Sequence, residues 1–263
     1  MNKHLFGFLT ALILSSAAAL AQPTSNGPTY KTGFNSVTQI GKELYAALNP
    51  SVRKKIHSSP VALETDVRPF VKTVEYPDEN EPLRLVFVSV GFIDLMNNLS
   101  HAKAIDRIEP GYFQRYLASL SHETGDFSLK ELPGISDRRY WTDDILNDQQ
   151  SNFNQMVGIV IAMELSHHYL GHYNKYSSRL AETDNKEPIN RLLSPAEWEK
   201  SLEMGIQNAL DCGYGIDGVT VLYDAIEKMP QRPDWIEYFL PRDVKISKVK
   251  KTLKKAENIY FAQ

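Results

Sequence analysis

The segment Met156–His172 reads MVGIVIAMELSHHYLGH and joins a nearly continuous apolar run to three closely spaced histidines. An apolar run of this length fits either a buried strand or a buried helix, because a segment without a polar face shows no clear period. Its smooth continuation into polar residues favours a long buried helix, from about Asn152 to Tyr173. A helix that is apolar on all sides is buried in the core, so this segment decides the fold.

The middle of this segment, Met163–His167, reads MELSH, and His172 follows five residues later. It resembles the active-site helix of zinc metallopeptidases of the HExxH type. It is most similar to the branch that contains the CAAX prenyl proteases, the heat-shock membrane proteases and their periplasmic relatives. The resemblance covers roughly residues 83–229 and implies a zincin-like domain, a zinc cofactor and peptide hydrolysis.

The chemistry of that motif depends on two histidines at positions i and i+4, which share one helical face and bind one Zn²⁺. The glutamate after the first histidine takes a proton from the metal-bound water, whose pKa falls to about 7. The resemblance therefore implies that Glu164 is the general base and His167 a zinc ligand. Met163 replaces the first histidine, and a soft, neutral thioether is a poor ligand for zinc.

The resemblance also implies a third zinc ligand on a later helix, in a Glu-x-x-Ala-Asp pattern that is followed by glycine. If Glu199 is that ligand, Glu203 replaces the aspartate and the spacing to Gly205 is one residue short. An alignment on Gly205 places Trp198 at the ligand position and removes the third ligand. The sequence leaves both alignments open.

Other uses of the histidines also stay open. Glu164, His168 and His172 follow i, i+4, i+8 spacing and would share one face of a continuous helix, so they could bind a metal without Met163. On such a helix His167 and His172 lie about 140° apart and cannot share that face. The histidines could equally be structural. A conventional zinc site, a different metal site and no functional metal are the three alternatives.

The clearest strand pattern is Leu83–Val90, which is rich in β-branched and apolar residues. Together with the residues up to Leu95, it resembles the edge strand of the same peptidases, which pairs with an extended substrate. The later helix, about Pro195 to Leu210, has a strong start signal, since Ser194 and Glu197 can form a capping box around Pro195. These patterns predict a helix-dominated α+β fold with a small sheet edged by Leu83–Val90.

The N-terminus predicts export. Lys3 precedes an apolar run, and Ala19-Leu20-Ala21 is typical of a signal-peptidase cleavage site. The apolar run is short for a membrane span, which needs about 20 residues. We therefore expect residues 1–21 to be a signal peptide and residues 22–33 a flexible leader. The protein is then periplasmic or secreted, with no membrane span after cleavage.

Composition narrows the class of partner. The formal net charge of −3 argues against nucleic acid as a partner. Cys212 is the only cysteine and excludes an intramolecular disulfide. We expect one metallopeptidase-like domain over residues 34–240. A lysine-rich helix over residues 241–263 is either docked on that domain or in contact with an anionic surface.

Two functions are consistent with these patterns. The first is a peptidase-derived protein that no longer cleaves and that binds a protein or peptide in the cell envelope. The second is an active zinc-dependent endopeptidase with Glu164 as general base and a non-standard ligand set, in which His168 or His172 replaces the missing histidine beside His167 and Glu199. The loss of one motif histidine favours the first.

Overall fold

The structure is a computed structural model that describes residues 30–58, 60–76, 82–120, 129–183 and 187–262. The predicted signal peptide, residues 1–21, and the leader up to residue 29 lie outside the described residues. In the described part of the chain no helix is long and apolar enough to cross a membrane.

Helices make up most of the described chain. They are α1 (Phe34–Ala47), α2 (Pro50–Arg53), α3 (Val90–Ile105), α4 (Tyr112–Leu120), α5 (Asp143–Tyr169), α6 (His172–Glu182), α7 (Pro195–Asp211), α8 (Asp217–Lys228) and α9 (Ile246–Phe261). Strands β1 (Val61–Glu64), β2 (Val71–Tyr76) and β3 (Leu83–Ser89) form one small sheet. The prediction of a helix-dominated α+β fold is confirmed.

Strand β3 is the centre of this sheet, because it pairs in parallel with β1 and antiparallel with β2. The prediction that Leu83–Val90 edges the sheet is therefore wrong. The pattern predicts the strand itself correctly, but the order of strands in a sheet depends on long-range pairing that a local pattern does not contain. The sheet edge that packs on α5 is β2.

Helix α5 is the core of the domain and packs against α1, α3, α7, α8 and the sheet. Its second half is buried without interruption from Met156 to His168. The helix starts earlier than predicted and ends earlier, at Tyr169. Gly171 then adopts a left-handed conformation with φ 77, and α6 begins at His172. Glycine is favoured in this conformation because it lacks a Cβ, so the predicted single helix to Tyr173 is broken at this point.

The start of α7 agrees with the sequence prediction. Ser194 is the N-cap, Pro195 takes the first helical position, and Glu197 closes a capping box with Ser194. The Ser194 hydroxyl accepts from the Glu197 backbone N–H at 3.3 Å, and the Glu197 carboxylate accepts from the Ser194 backbone N–H at 2.9 Å. These bonds satisfy amides that have no partner within the helix.

The last residues of the predicted leader belong to the folded domain. Thr32 is 3% exposed, and its hydroxyl accepts a hydrogen bond from Gln149 Nε2 at 3.0 Å. Asn97 Nδ2 donates to the Thr32 carbonyl at 3.1 Å, and Tyr30 contacts His101 Nδ1 at 3.0 Å. Tyr30 and Thr32 of the predicted leader therefore belong to the folded domain, because their polar groups join a cluster between α3 and α5.

The C-terminal helix α9 is docked on α7 and α8. Its inner face buries Val249, Thr252 and Leu253, and Lys250 forms ion pairs of 2.6 Å with both Asp224 and Glu227 on α8. The docked alternative for this helix is confirmed, and its outer face remains exposed.

Helices α5 and α7 touch most closely at Gly205. A Cβ atom at this position would lie 2.7 Å from Met163 Cγ and 2.9 Å from the Met163 backbone nitrogen. Real Cβ atoms do not approach backbone so closely, so only glycine fits here.

We expect Gly205→Ala to force α7 away from α5 and to lower the free energy of unfolding by about 1–3 kcal/mol. Urea denaturation followed by circular dichroism measures this change. Gly33→Ala is the control, because a Cβ at Gly33 meets no atom within 4 Å. Equal stability of Gly205→Ala and wild type would contradict the close packing.

Candidate functional site

Glu164 lies in the interior, where β2 crosses α5, and is 3% exposed. The Thr73 hydroxyl lies 2.7 Å from Glu164 Oε2 and 2.8 Å from the Glu164 carbonyl oxygen. A hydroxyl has one proton, so it donates to one of these oxygens at a time. Asn190 Nδ2 is 3.4 Å from Glu164 Oε1 and donates to the Tyr238 carbonyl at 2.8 Å. The carboxylate is thus held by protein groups on two sides.

His167 is fully buried one turn after Glu164. Its Nε2 is 3.7 Å from Glu164 Oε1 and has no hydrogen-bond partner in the described structure. Its Nδ1 is 3.1 Å from His172 Nδ1. The helix break at Gly171 brings the two rings together, so the expectation that these histidines cannot share a face is wrong.

Ser201 on α7 completes this contact. Its Oγ is 3.2 Å from His167 Nδ1 and 3.3 Å from His172 Nδ1. Two facing imidazole nitrogens can bond only if one carries a proton and the other accepts it. Burial and the neighbouring His167 lower the pKa of His172 to about 4, so His172 is neutral at pH 7. The three side chains form one hydrogen-bonded cluster.

His168 faces the sheet instead. Its Nε2 lies 3.1 Å from the Leu85 carbonyl, to which it can donate, and its Nδ1 is 3.2 Å from Glu75 Oε1. Burial raises the pKa of Glu75, but His168 and the Arg84 guanidinium outweigh it and hold that pKa below its usual value. His168 therefore joins α5 to β2 and β3. The expected grouping of Glu164, His168 and His172 on one face does not form.

Met163 is packed where the first motif histidine would stand and is 4% exposed. Its Cγ abuts Gly205, and the Tyr223 hydroxyl on α8 lies 3.9 Å from its sulfur. The Met163 side chain is thus packed between α7 and α8.

Glu199 lies away from the histidines. Its carboxylate forms an ion pair of 2.7 Å with Lys248 and accepts from the Thr252 hydroxyl at 3.1 Å, both on α9. The hydrogen bond from Lys248 lowers the pKa of Glu199. Glu199, which the sequence predicts as a possible third ligand, instead holds the C-terminal helix in place. Trp198, the alternative, is buried with its ring 6.5 Å from the Tyr223 ring.

Sequence reasoning missed Ser201, Thr73 and Asn190. A signal for Ser201 was present, because the buried positions Trp198, Ser201, Leu202 and Gly205 recur at helical spacing while Glu199 falls outside that pattern. Thr73 and Asn190 carry no comparable signal, since each reaches Glu164 only through long-range folding.

The residues present do not fit a zinc ion. A catalytic zinc is held by three protein ligands drawn from histidine, cysteine and carboxylate side chains. Within the described ranges, no group of three or more His, Cys, Asp or Glu side chains is placed to hold a metal. Met163 supplies only a thioether, Glu199 is bound to α9, and His167 Nδ1 is already in contact with His172 and Ser201. No water-activating metal chemistry follows from this arrangement.

Comparison with known proteins adds no assignment. No protein-family model, curated protein or solved structure matches this chain.

We expect stability to depend on the protonation of His172. Its folded pKa of about 4 lies below the unfolded value of 6.5, so the unfolded chain binds more protons between these pH values. Stability should fall as pH drops below about 6.5, by at most roughly 2–3 kcal/mol near pH 4.5, and the loss should level off below about pH 4.

Urea denaturation of wild type and His172→Gln at pH 7 and pH 4.5 measures this effect. The variant should lose less stability than wild type over this interval, and the exposed His57→Gln should behave like wild type. Equal losses in wild type and His172→Gln would show that His172 is not responsible.

Proposed function

We propose that this chain is an exported protein on a zincin-like scaffold that acts in the cell envelope by binding a protein or peptide, without cleaving it. The observation that carries the proposal is the dispersal of the implied ligand set. Met163 packs against Gly205, Glu199 binds α9, and His167 forms a hydrogen-bonded cluster with His172 and Ser201. Without a metal, Glu164 has no activated water from which to take a proton.

The surface beside Glu164 suits a binding role. Strand β2 is a sheet edge, and its Thr73 contacts Glu164 on α5. An edge strand can accept an extended peptide through main-chain hydrogen bonds. Asn190, which contacts Glu164, also lines a cleft of about 410 Å³.

That cleft has a defined polar wall. Arg191 and Arg242 both form ion pairs with Glu237, which is 4% exposed, and all three side chains line the cleft. A buried carboxylate that pairs with two guanidinium groups restricts their movement at the wall of the cleft. We assign the bound segment to this cleft and the adjoining edge of β2.

One observation favours the alternative, an active zinc endopeptidase. His167 Nε2 is buried without a partner and faces Glu164 Oε1, which is where a metal would stand in an intact motif. Only one imidazole and one carboxylate meet there, however, and the second histidine is absent. We therefore favour binding without cleavage over peptide hydrolysis.

Metal content and proteolysis of the untagged protein test the choice. We expect elemental mass spectrometry to find far less than one zinc per chain, and fluorescein-labelled casein to stay intact while its anisotropy rises on binding. Near-stoichiometric zinc in wild type that is lost in His167→Ala but kept in His57→Ala, together with casein cleavage, would establish the peptidase. Intact casein without saturable binding would reject the binding role.

A gain-of-metal variant tests the scaffold. The double variant Met163→His with Ser201→Glu has a histidine four residues before His167. It also has a carboxylate at position 201 on α7, where the Ser201 hydroxyl now contacts His167. We expect this variant to bind more zinc than wild type. Zinc content equal to that of wild type in a folded variant would argue against a zincin-like origin.

A further inference from the structure

The outer face of α9 combines positive charge with exposed apolar side chains. We define this α9 outer face by its exposed residues on one side of the helix, which are Lys251, Lys254, Lys255, Asn258, Ile259, Phe261 and Ala262. Six of them line one shallow surface groove, and Phe261 adjoins it. We propose that this face binds an anionic phospholipid surface.

The helix presents this face rigidly because its inner side is anchored. Val249 and Leu253 are each 1% exposed against the domain. The Tyr260 hydroxyl donates to the Leu210 carbonyl at 3.1 Å, which holds the end of α9 against α7. A docked helix loses little conformational entropy when its outer face makes a contact.

The lysines of α9 divide into two groups. Two lysines near the start of the helix are neutralised within the fold, since Lys248 pairs with Glu199 and Lys250 pairs with Asp224 and Glu227. On the outer face Lys254 forms an ion pair of 2.7 Å with Glu257. Lys251 and Lys255 form no ion pair within the described part of the chain, so their charge is available to an anionic partner.

The apolar residues lie at the C-terminal end of the same face. Phe261 is 74% exposed and Ile259 is 49% exposed, and both belong to the small set of large apolar side chains that the described chain leaves in water. Lysines beside exposed aromatic and aliphatic residues are the pattern of helices that lie in a membrane interface. The lysines contact lipid phosphates while the apolar side chains enter the acyl boundary.

A lipid surface explains both parts of the face. A nucleic acid would use the lysines and leave Ile259 exposed. The overall net charge of −3 does not attract anions, so binding to an anionic surface depends on the local cluster of lysines on α9. The proposal is independent of the motif helix and of its proposed binding role.

Vesicle co-sedimentation of the full chain tests the proposal. The probes are vesicles of phosphatidylcholine alone and of phosphatidylcholine with phosphatidylglycerol at about 3:1, in low and high salt. We expect at least roughly five-fold tighter binding to the anionic vesicles, and a loss of that preference in Lys251→Gln with Lys255→Gln and in high salt. Lys42→Gln with Lys54→Gln, which removes the same charge at exposed sites on α1 and next to α2, should retain it.

A local probe separates α9 from the apolar N-terminal segment, which all variants share. A bimane label on Ala262→Cys in a Cys212→Ser background should shift its emission to the blue on anionic vesicles, and Phe261→Ser should reduce that shift. The same label on Lys54→Cys should not respond. Equal binding to neutral and anionic vesicles, no binding, an equal loss in the control pair or an unchanged label at position 262 would each overturn the proposal.

Discussion

The backbone contact between Met163 and Gly205 sets the geometry of the whole site. Because α5 and α7 meet there without an intervening side chain, the next turns of the two helices are also in register. His167, one turn after Met163, therefore meets Ser201, one turn before Gly205. The same register turns Glu199 outward, where it holds α9.

The polar residues of the motif are mostly satisfied by the protein itself. Glu164 contacts the Thr73 hydroxyl, His168 lies between Glu75 and the Leu85 carbonyl, and His172 contacts the Ser201 hydroxyl. Buried polar groups that lose their partners destabilise a fold, so these side chains have a structural reason to be kept without a metal. His167 Nε2 is the exception among them, because it is buried without a hydrogen-bond partner in the described structure.

The sequence predicted the local features well. The helix-dominated fold, the capped start at Ser194 and the strand pattern of Leu83–Val90 all depend on neighbouring residues, and the structure agrees with them. Strand order and the contact of Thr73 with Glu164 depend on residues far apart in the chain, which no local pattern encodes. The contact between His167 and His172 is an intermediate case. Gly171 is a sequence signal for the end of a helix, but the apolar run before it favoured one continuous helix.

Gln149 has a further consequence for how the chain is processed. Its amide lies in a buried cluster with Thr32, Asn97 and Ser100, so a residue at the end of the predicted leader helps to close the domain. Removal of the chain through Thr32 would leave Gln149 and Asn97 without these partners and would open the interface of α3 and α5 to water. The end of the predicted leader thus limits how far the chain can be shortened from this side before the domain loses stability.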